Sequence, residues 1–85
     1  MAVVLLPSLL ANEAGGTNRF ELDAPTVGDA LRALPIAQLV LDEGGELRRL
    51  VNVYVDGTDV RGGAGLETPL AADATVRVIG AIAGG

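Results

Sequence analysis

The residues of this sequence best suited to chemistry are the last two, Gly84 and Gly85. Glycine has no Cβ, so this pair, with Ala83 before it, can thread a channel too narrow for larger side chains. Ala81 to Gly85 spans at most about 17 Å, at roughly 3.3–3.6 Å per residue, enough to enter a partner's site while a domain docks outside. A terminal carboxylate on Gly85 has an ordinary pKa near ~3.5, so it is ionised at neutral pH and is a poor electrophile. It must be activated, and the usual route is an acyl-adenylate made from ATP by another protein. A sulfur nucleophile would convert that adenylate to a thiocarboxylate, and an amine would convert it to an amide.

Other groups offer less. The chain has no Cys and no His, which removes thiolate nucleophiles, imidazole bases, disulfides and most transition-metal sites. Asp42, Glu43 and Glu46 cluster around Gly44-Gly45, and read as a solvated acidic loop, because nothing there raises the pKa of one carboxyl for acid–base work. Gly62-Gly63-Ala64-Gly65 lacks the Lys-Ser/Thr end of a phosphate loop. The chain therefore reads as a protein acted upon, not an enzyme, with no permanent cofactor, and a partner supplies the ATP site.

Composition narrows the partners. The net charge is −5, and all six basic residues are Arg. This balance repels phosphate backbones and argues against nucleic acid. No apolar run approaches the ~18 residues of a membrane span. Met1 to Leu10 lacks the basic n-region of a signal peptide and reads as structure. Without disulfides to form, the expected home is the cytoplasm.

The elements that would position the tail can be read in order. Eighty-five residues make one domain, burying only about 60–65 % of the surface of the unfolded chain. Ala2 to Leu6 is an apolar, β-branched run stopped by Pro7, a buried strand. Asn12 to Asn18, with Gly15-Gly16, is a turn, and Arg19 to Leu22 alternates as the second strand of a hairpin. Thr26 is a helix N-cap with Asp29 three residues on, and Val27, Ala30, Leu31 and Leu34 form one apolar stripe. Pro35 ends that helix, and Ile36 to Leu41 continues as a helical turn or loop.

Leu47 to Val55 reads as a strand with Val51, Val53 and Val55 on one face and Leu50, Asn52 and Tyr54 on the other. Asp56-Gly57 predicts a type I′ hairpin turn into a short strand, Thr58 to Arg61. Leu66 to Ala74, with Pro69, reads as an irregular or 3-10 segment. Thr75 to Ile79 is the last strand, with Val76 and Val78 inward. Val51, Val53, Val76, Val78, Leu31 and Leu34 are the expected core. The order implies an α+β fold of the β-grasp kind. A mixed sheet of four to five strands wraps one helix, with first and last strands parallel, over residues 1–80, and residues 81–85 form a flexible tail.

The same alternation places Leu50, Tyr54 and Ile79 on the open sheet face, near where the tail leaves. Arg49, Arg61 and Arg77 are expected to ring this patch and to pair with acidic residues of a partner.

Several runs resemble a known family. They are Leu50-Val51-Asn52-Val53-Tyr54-Val55, Asp59-Val60-Arg61, Leu66-Glu67-Thr68-Pro69-Leu70, Ala81-Ile82-Ala83-Gly84-Gly85 and the helix start Ala24-Pro25-Thr26-Val27-Gly28-Asp29-Ala30-Leu31. In order and spacing they are similar to the ubiquitin-like sulfur carriers of the ThiS/MoaD type, and most like those feeding cysteine biosynthesis. The resemblance implies a β-grasp fold, adenylation of Gly85 by an E1-like enzyme, and a thiocarboxylate as the sulfur store. It implies an acceptor synthase as second partner: a PLP-dependent cysteine synthase, or a molybdopterin synthase large subunit, with thiamine biosynthesis a further branch. It also implies that the open sheet face meets the activating enzyme. A ubiquitin-like modifier joined through Gly85 to protein lysines needs the same tail and stands as the alternative, and a plain interaction domain with an inert tail as a third.

Overall fold

A computed structural model describes residues 1–80. Its elements run β1 (Ala2–Leu5), α1 (Ser8–Glu13), β2 (Arg19–Leu22), α2 (Val27–Arg32), α3 (Ala37–Val40), β3 (Val51–Val55), β4 (Thr58–Asp59) and β5 (Thr75–Gly80). Short 3-10 turns at Val60–Gly62 and Gly65–Glu67 link β4 to β5.

The strands form one mixed sheet in the order β2-β1-β5-β3-β4. β1 pairs antiparallel with β2 and parallel with β5, as the reading of first and last strands expected. β5 also pairs antiparallel with β3, so it is the central strand, hydrogen-bonded on both sides. Its valines Val76 and Val78 are buried with Val4 of β1 and Val51 and Val53 of β3. Val27, Ala30, Leu31 and Leu34 cover them from α2 and its end, and all four are buried. Burying one such aliphatic side chain contributes roughly 1.5–3 kcal/mol, which makes this valine–leucine layer the main source of cohesion in a chain poor in aromatics.

α2 starts where the sequence places it. Thr26 is extended at the N-cap, and its hydroxyl accepts from the Asp29 backbone N–H at 3.2 Å. The same hydroxyl donates to the Asp29 carboxylate at 3.0 Å, closing the cap from both ends. The Asp56-Gly57 turn also forms as expected, with φ of 49° and 89°.

Three expectations need correction. A third helix, α1, lies between the first two strands, over residues 8–11, which had no expected element, and the first two residues of the Asn12–Asn18 turn. Pro7 ends β1 and occupies the helix N-cap, and Leu10 and Ala11 drop into the core. Gly15 and Gly16, at φ of 80° and 95°, then end the helix and make the expected turn, which starts two residues later than Asn12. The sheet is therefore covered by three short helices, with α2 at the centre of the packing. β3 begins at Val51 and not at Leu47: Arg48 N–H donates to the Val40 carbonyl and Val51 N–H to the Arg48 carbonyl, which makes 48–51 a turn. β4 is only two residues long, because Val60 turns into the core through the Val60–Gly62 turn.

Candidate functional site

The expected reacting residues, Gly85, Gly84 and Ala83, lie outside the described residues. What the structure defines is the platform that carries them. β5 holds the centre of the sheet up to Gly80, which pairs with Val51 at the end of the β3–β5 ladder. β1 flanks β5 at Thr75–Arg77 and β3 flanks it from Val76 to Gly80, so the last residues of the strand, which lead into the following chain, lie beside β3 alone.

One face of that sheet is core; the other carries the expected patch in part. Tyr54 on β3 stands opposite Arg77 on β5, and Asn52 opposite Ile79. Alternation turns Tyr54, Arg77 and Ile79 to the face opposite Val76 and Val78, and Ile79 is 41 % exposed. Tyr54, Arg77 and Ile79 line a shallow depression with Asp56, Gly57 and Thr75. The depression is closed at the hairpin end by Asp56, whose carboxylate accepts from Thr75 N–H at 3.0 Å while its own N–H donates to the Thr75 carbonyl. At the other end Ile79 directly precedes Gly80, so this face runs to the root of the tail.

Leu50 and Arg49 are also exposed, Leu50 to 58 %, but they sit in the turn before β3 and not on the strand. The reason is the Val51–Arg48 hydrogen bond, which curls the chain before the ladder begins. Leu50, with Leu39, Arg48, Arg49 and Val51, lines a separate depression. The structure thus divides the expected patch between the sheet face and this turn.

Arg61 departs further from expectation. Its guanidinium does not ring the patch but folds back along the edge of β3. Nη2 donates to the carbonyls of Arg48 and Val51, both at 2.9 Å, and Nη1 to that of Arg49 at 3.2 Å. The Asp59 carboxylate holds the Arg61 N–H at 2.8 Å and so sets the turn that aims the side chain. The signal was present as an Asp, a buried valine and an Arg just after a tight hairpin, but spacing alone did not show which backbone the guanidinium would reach.

The acidic loop serves itself. One oxygen of Asp42 accepts from both Gly44 N–H and Glu46 N–H, at 2.9 and 3.0 Å. Among the described residues no three acidic groups gather as a metal site would require. Among them, too, no helix is long and apolar enough to cross a membrane.

A mixed β-grasp sheet whose central strand leads into Ala-Ile-Ala-Gly-Gly defines the ubiquitin-like carriers and modifiers. Residues 4–85 match the ThiS family, and the chain belongs to that family. It is 33 % identical over 89 aligned positions to the sulfur carrier protein CysO of Mycobacterium tuberculosis, covering 96 % of both chains. The crystal structure of that CysO superposes with a TM-score of 0.86, at 29 % identity, over 96 % of this chain and all of the other. CysO in the Amycolatopsis orientalis BexX/CysO complex superposes with a TM-score of 0.84 at 30 % identity, over the whole of both chains. Small archaeal modifier protein 1 of Methanosarcina acetivorans matches at 0.83 and 26 % identity, over 99 % of this chain and 95 % of that one.

Proposed function

We propose that this chain is a sulfur carrier whose Gly85 carboxylate is adenylated by an E1-like enzyme and converted to a thiocarboxylate. The observation that carries the reading is the family match running through Gly85 on a fold whose central strand leads into that segment. A carboxylate oxygen of Gly85 attacks the α-phosphorus of ATP, and pyrophosphate leaves. A sulfide-level nucleophile then adds to the acyl carbon, AMP departs with the carboxylate oxygen it carries, and a proton is released. The product is a C-terminal thiocarboxylate, with no change of oxidation state at carbon. The carrier's own part is to present a thin tail from the end of the central strand and to offer a docking face; ATP belongs to the partner.

The relative bearing the same fold is a sulfur carrier protein, and another CysO is solved in a complex with BexX, which supports a handover between this chain and a partner protein. The similarity to CysO favours cysteine biosynthesis and a PLP-dependent synthase as acceptor, over molybdopterin or thiamine assembly. The reading places the carrier in the cytoplasm, where ATP is available. Leu50, Tyr54, Ile79, Arg49 and Arg77 are assigned to partner docking.

The test is deletion of Gly85 with Gly84→Val as companion. Both proteins should stay folded and lose ATP–pyrophosphate exchange with the cognate activating enzyme. Normal exchange by the truncated chain would overturn the reading. Mass spectrometry of the wild-type product should show a gain of about 16 Da, sulfur for oxygen. The match to an archaeal modifier favours one second reading, conjugation through Gly85 to protein lysines. It would appear as Gly85 adducts on other proteins. This chain has no lysine, so only its α-amine could receive such an attachment.

A further inference from the structure

The edge of β3 is only half covered. β4 pairs with Tyr54 and Val55 and then ends, which leaves the Val51 carbonyl beyond the reach of any strand on that side. A backbone acceptor left without a partner is costly, so something must take the place of the missing ladder. Arg61 does. Its two terminal nitrogens reach three consecutive-turn carbonyls, those of Arg48, Arg49 and Val51. Val51 also stands opposite Gly80, the last residue of β5, although its own N–H and carbonyl both bond on the side away from that strand. One guanidinium therefore holds both the turn before β3 and the strand residue that faces the end of β5.

We propose that Arg61 is a positioning residue for the tail: by tying those three carbonyls it fixes Val51 in its place opposite Gly80, and with it the direction in which the chain leaves the sheet. The proposal rests on the carrier reading above and deepens it. The geometry asks for Arg in particular. A planar guanidinium offers donors from separate nitrogens in a fixed fork, whereas lysine offers its donors from one point. A tail that must enter a narrow site gains from a set direction, because small misplacements of reacting atoms cost rate steeply. Arg61 makes these bonds with its own chain, so it acts through Val51 and Gly80 and touches no reacting atom.

The experiment compares the full-length wild type with Arg61→Lys and Arg61→Gln, which keep much of the aliphatic stem. ATP–pyrophosphate exchange with the cognate activating enzyme gives kcat and KM for the carrier, and amide residual dipolar couplings report the orientation of Gly80. The expected result is a fall in kcat of about ten- to a hundredfold with little change in KM. Gly80 couplings should move, while those of β1 and α2 stay as in the wild type. Unchanged kcat in a folded variant overturns the proposal, even if the melting temperature drops, since Arg61 is then a staple only. A rise in KM alone also overturns it, and makes Arg61 a docking contact. If the wild type itself is not adenylated, the carrier reading fails, and the Gly80 couplings still decide whether Arg61 sets the exit. Should one variant not fold, the other carries both measurements.

Discussion

Tyr54 and Arg77 face each other across the β3–β5 ladder, on the side of the sheet away from the valine core, with Ile79 two residues along from Arg77 toward the tail. An aromatic ring, a guanidinium and an exposed isoleucine in one strip suit a partner that offers apolar surface rimmed with carboxylates. Tyr54→Ala combined with Ile79→Asp should remain folded by circular dichroism. Its affinity for the activating enzyme should fall at least about tenfold, or about 1.4 kcal/mol. Titration calorimetry showing wild-type affinity would move the docking site elsewhere, with the Leu39–Leu50 depression the next surface to mutate.

Leu31 is fully buried between α2 and the central strands. Leu31→Ala should cost about 2–5 kcal/mol, because the short helices around it can collapse only partly into the space. In a domain of this size each kcal/mol lowers the melting temperature by about 4–8 °C. A melting curve like that of the wild type would place the helix on a different face.

Asp29 gives the fold a pH dependence of known sign. The Arg32 guanidinium, at 2.9 Å, and the Thr26 hydroxyl hold its carboxyl below the ordinary value of 3.8. The folded carboxylate thus binds its proton less tightly than the unfolded one. The resulting stabilisation is fully present above the ordinary value and is lost as pH falls through the folded one. The site is solvent-exposed on its outer side, so the effect is modest. Asp29→Asn should melt below the wild type at neutral pH, and the gap should close in acid. A gap that persists unchanged at low pH would assign the difference to the cap geometry and not to the charge.

Gly28 lies where α2 approaches the Gly65–Glu67 turn. A Cβ there would stand 3.1 Å from the Leu66 carbonyl oxygen and from the Arg32 guanidinium. Arg32 can swing aside, but Leu66 cannot easily move: the following backbone is held by Val27 N–H to the Thr68 carbonyl and Leu70 N–H to the Pro25 carbonyl. Alanine for glycine inside a helix normally stabilises by up to ~1 kcal/mol. Here Gly28→Ala should yield no such gain and should lower the midpoint of urea unfolding. A raised midpoint would show that the turn gives way freely.

Much of what neighbours a few positions apart govern was legible in the residues themselves. The Thr26–Asp29 cap, the positive-φ Asp56-Gly57 turn, the 3.6-residue stripe of α2 and the alternation of Val76 and Val78 all follow from short-range sterics and periodicity. So does the parallel pairing of first and last strands, since the order of elements leaves few other ways to cover one helix.

Three features depended on contacts that the residue pattern alone does not specify. Residues 8–13 form a helix because Leu10 and Ala11 find the core beneath them, which no six-residue window reveals; a helix this short has little stability without packing. Leu50 leaves the strand because the Arg48–Val40 and Val51–Arg48 hydrogen bonds curl the chain, overriding an alternation pattern that extended cleanly through it. Arg61 is 10 to 13 positions from the carbonyls it holds, and its target exists only because β4 stops short. Local preference names the residues able to make such bonds; which unpaired carbonyl lies within reach is settled when the strands assemble, because the cost of leaving that acceptor bare arises only once the edge has formed.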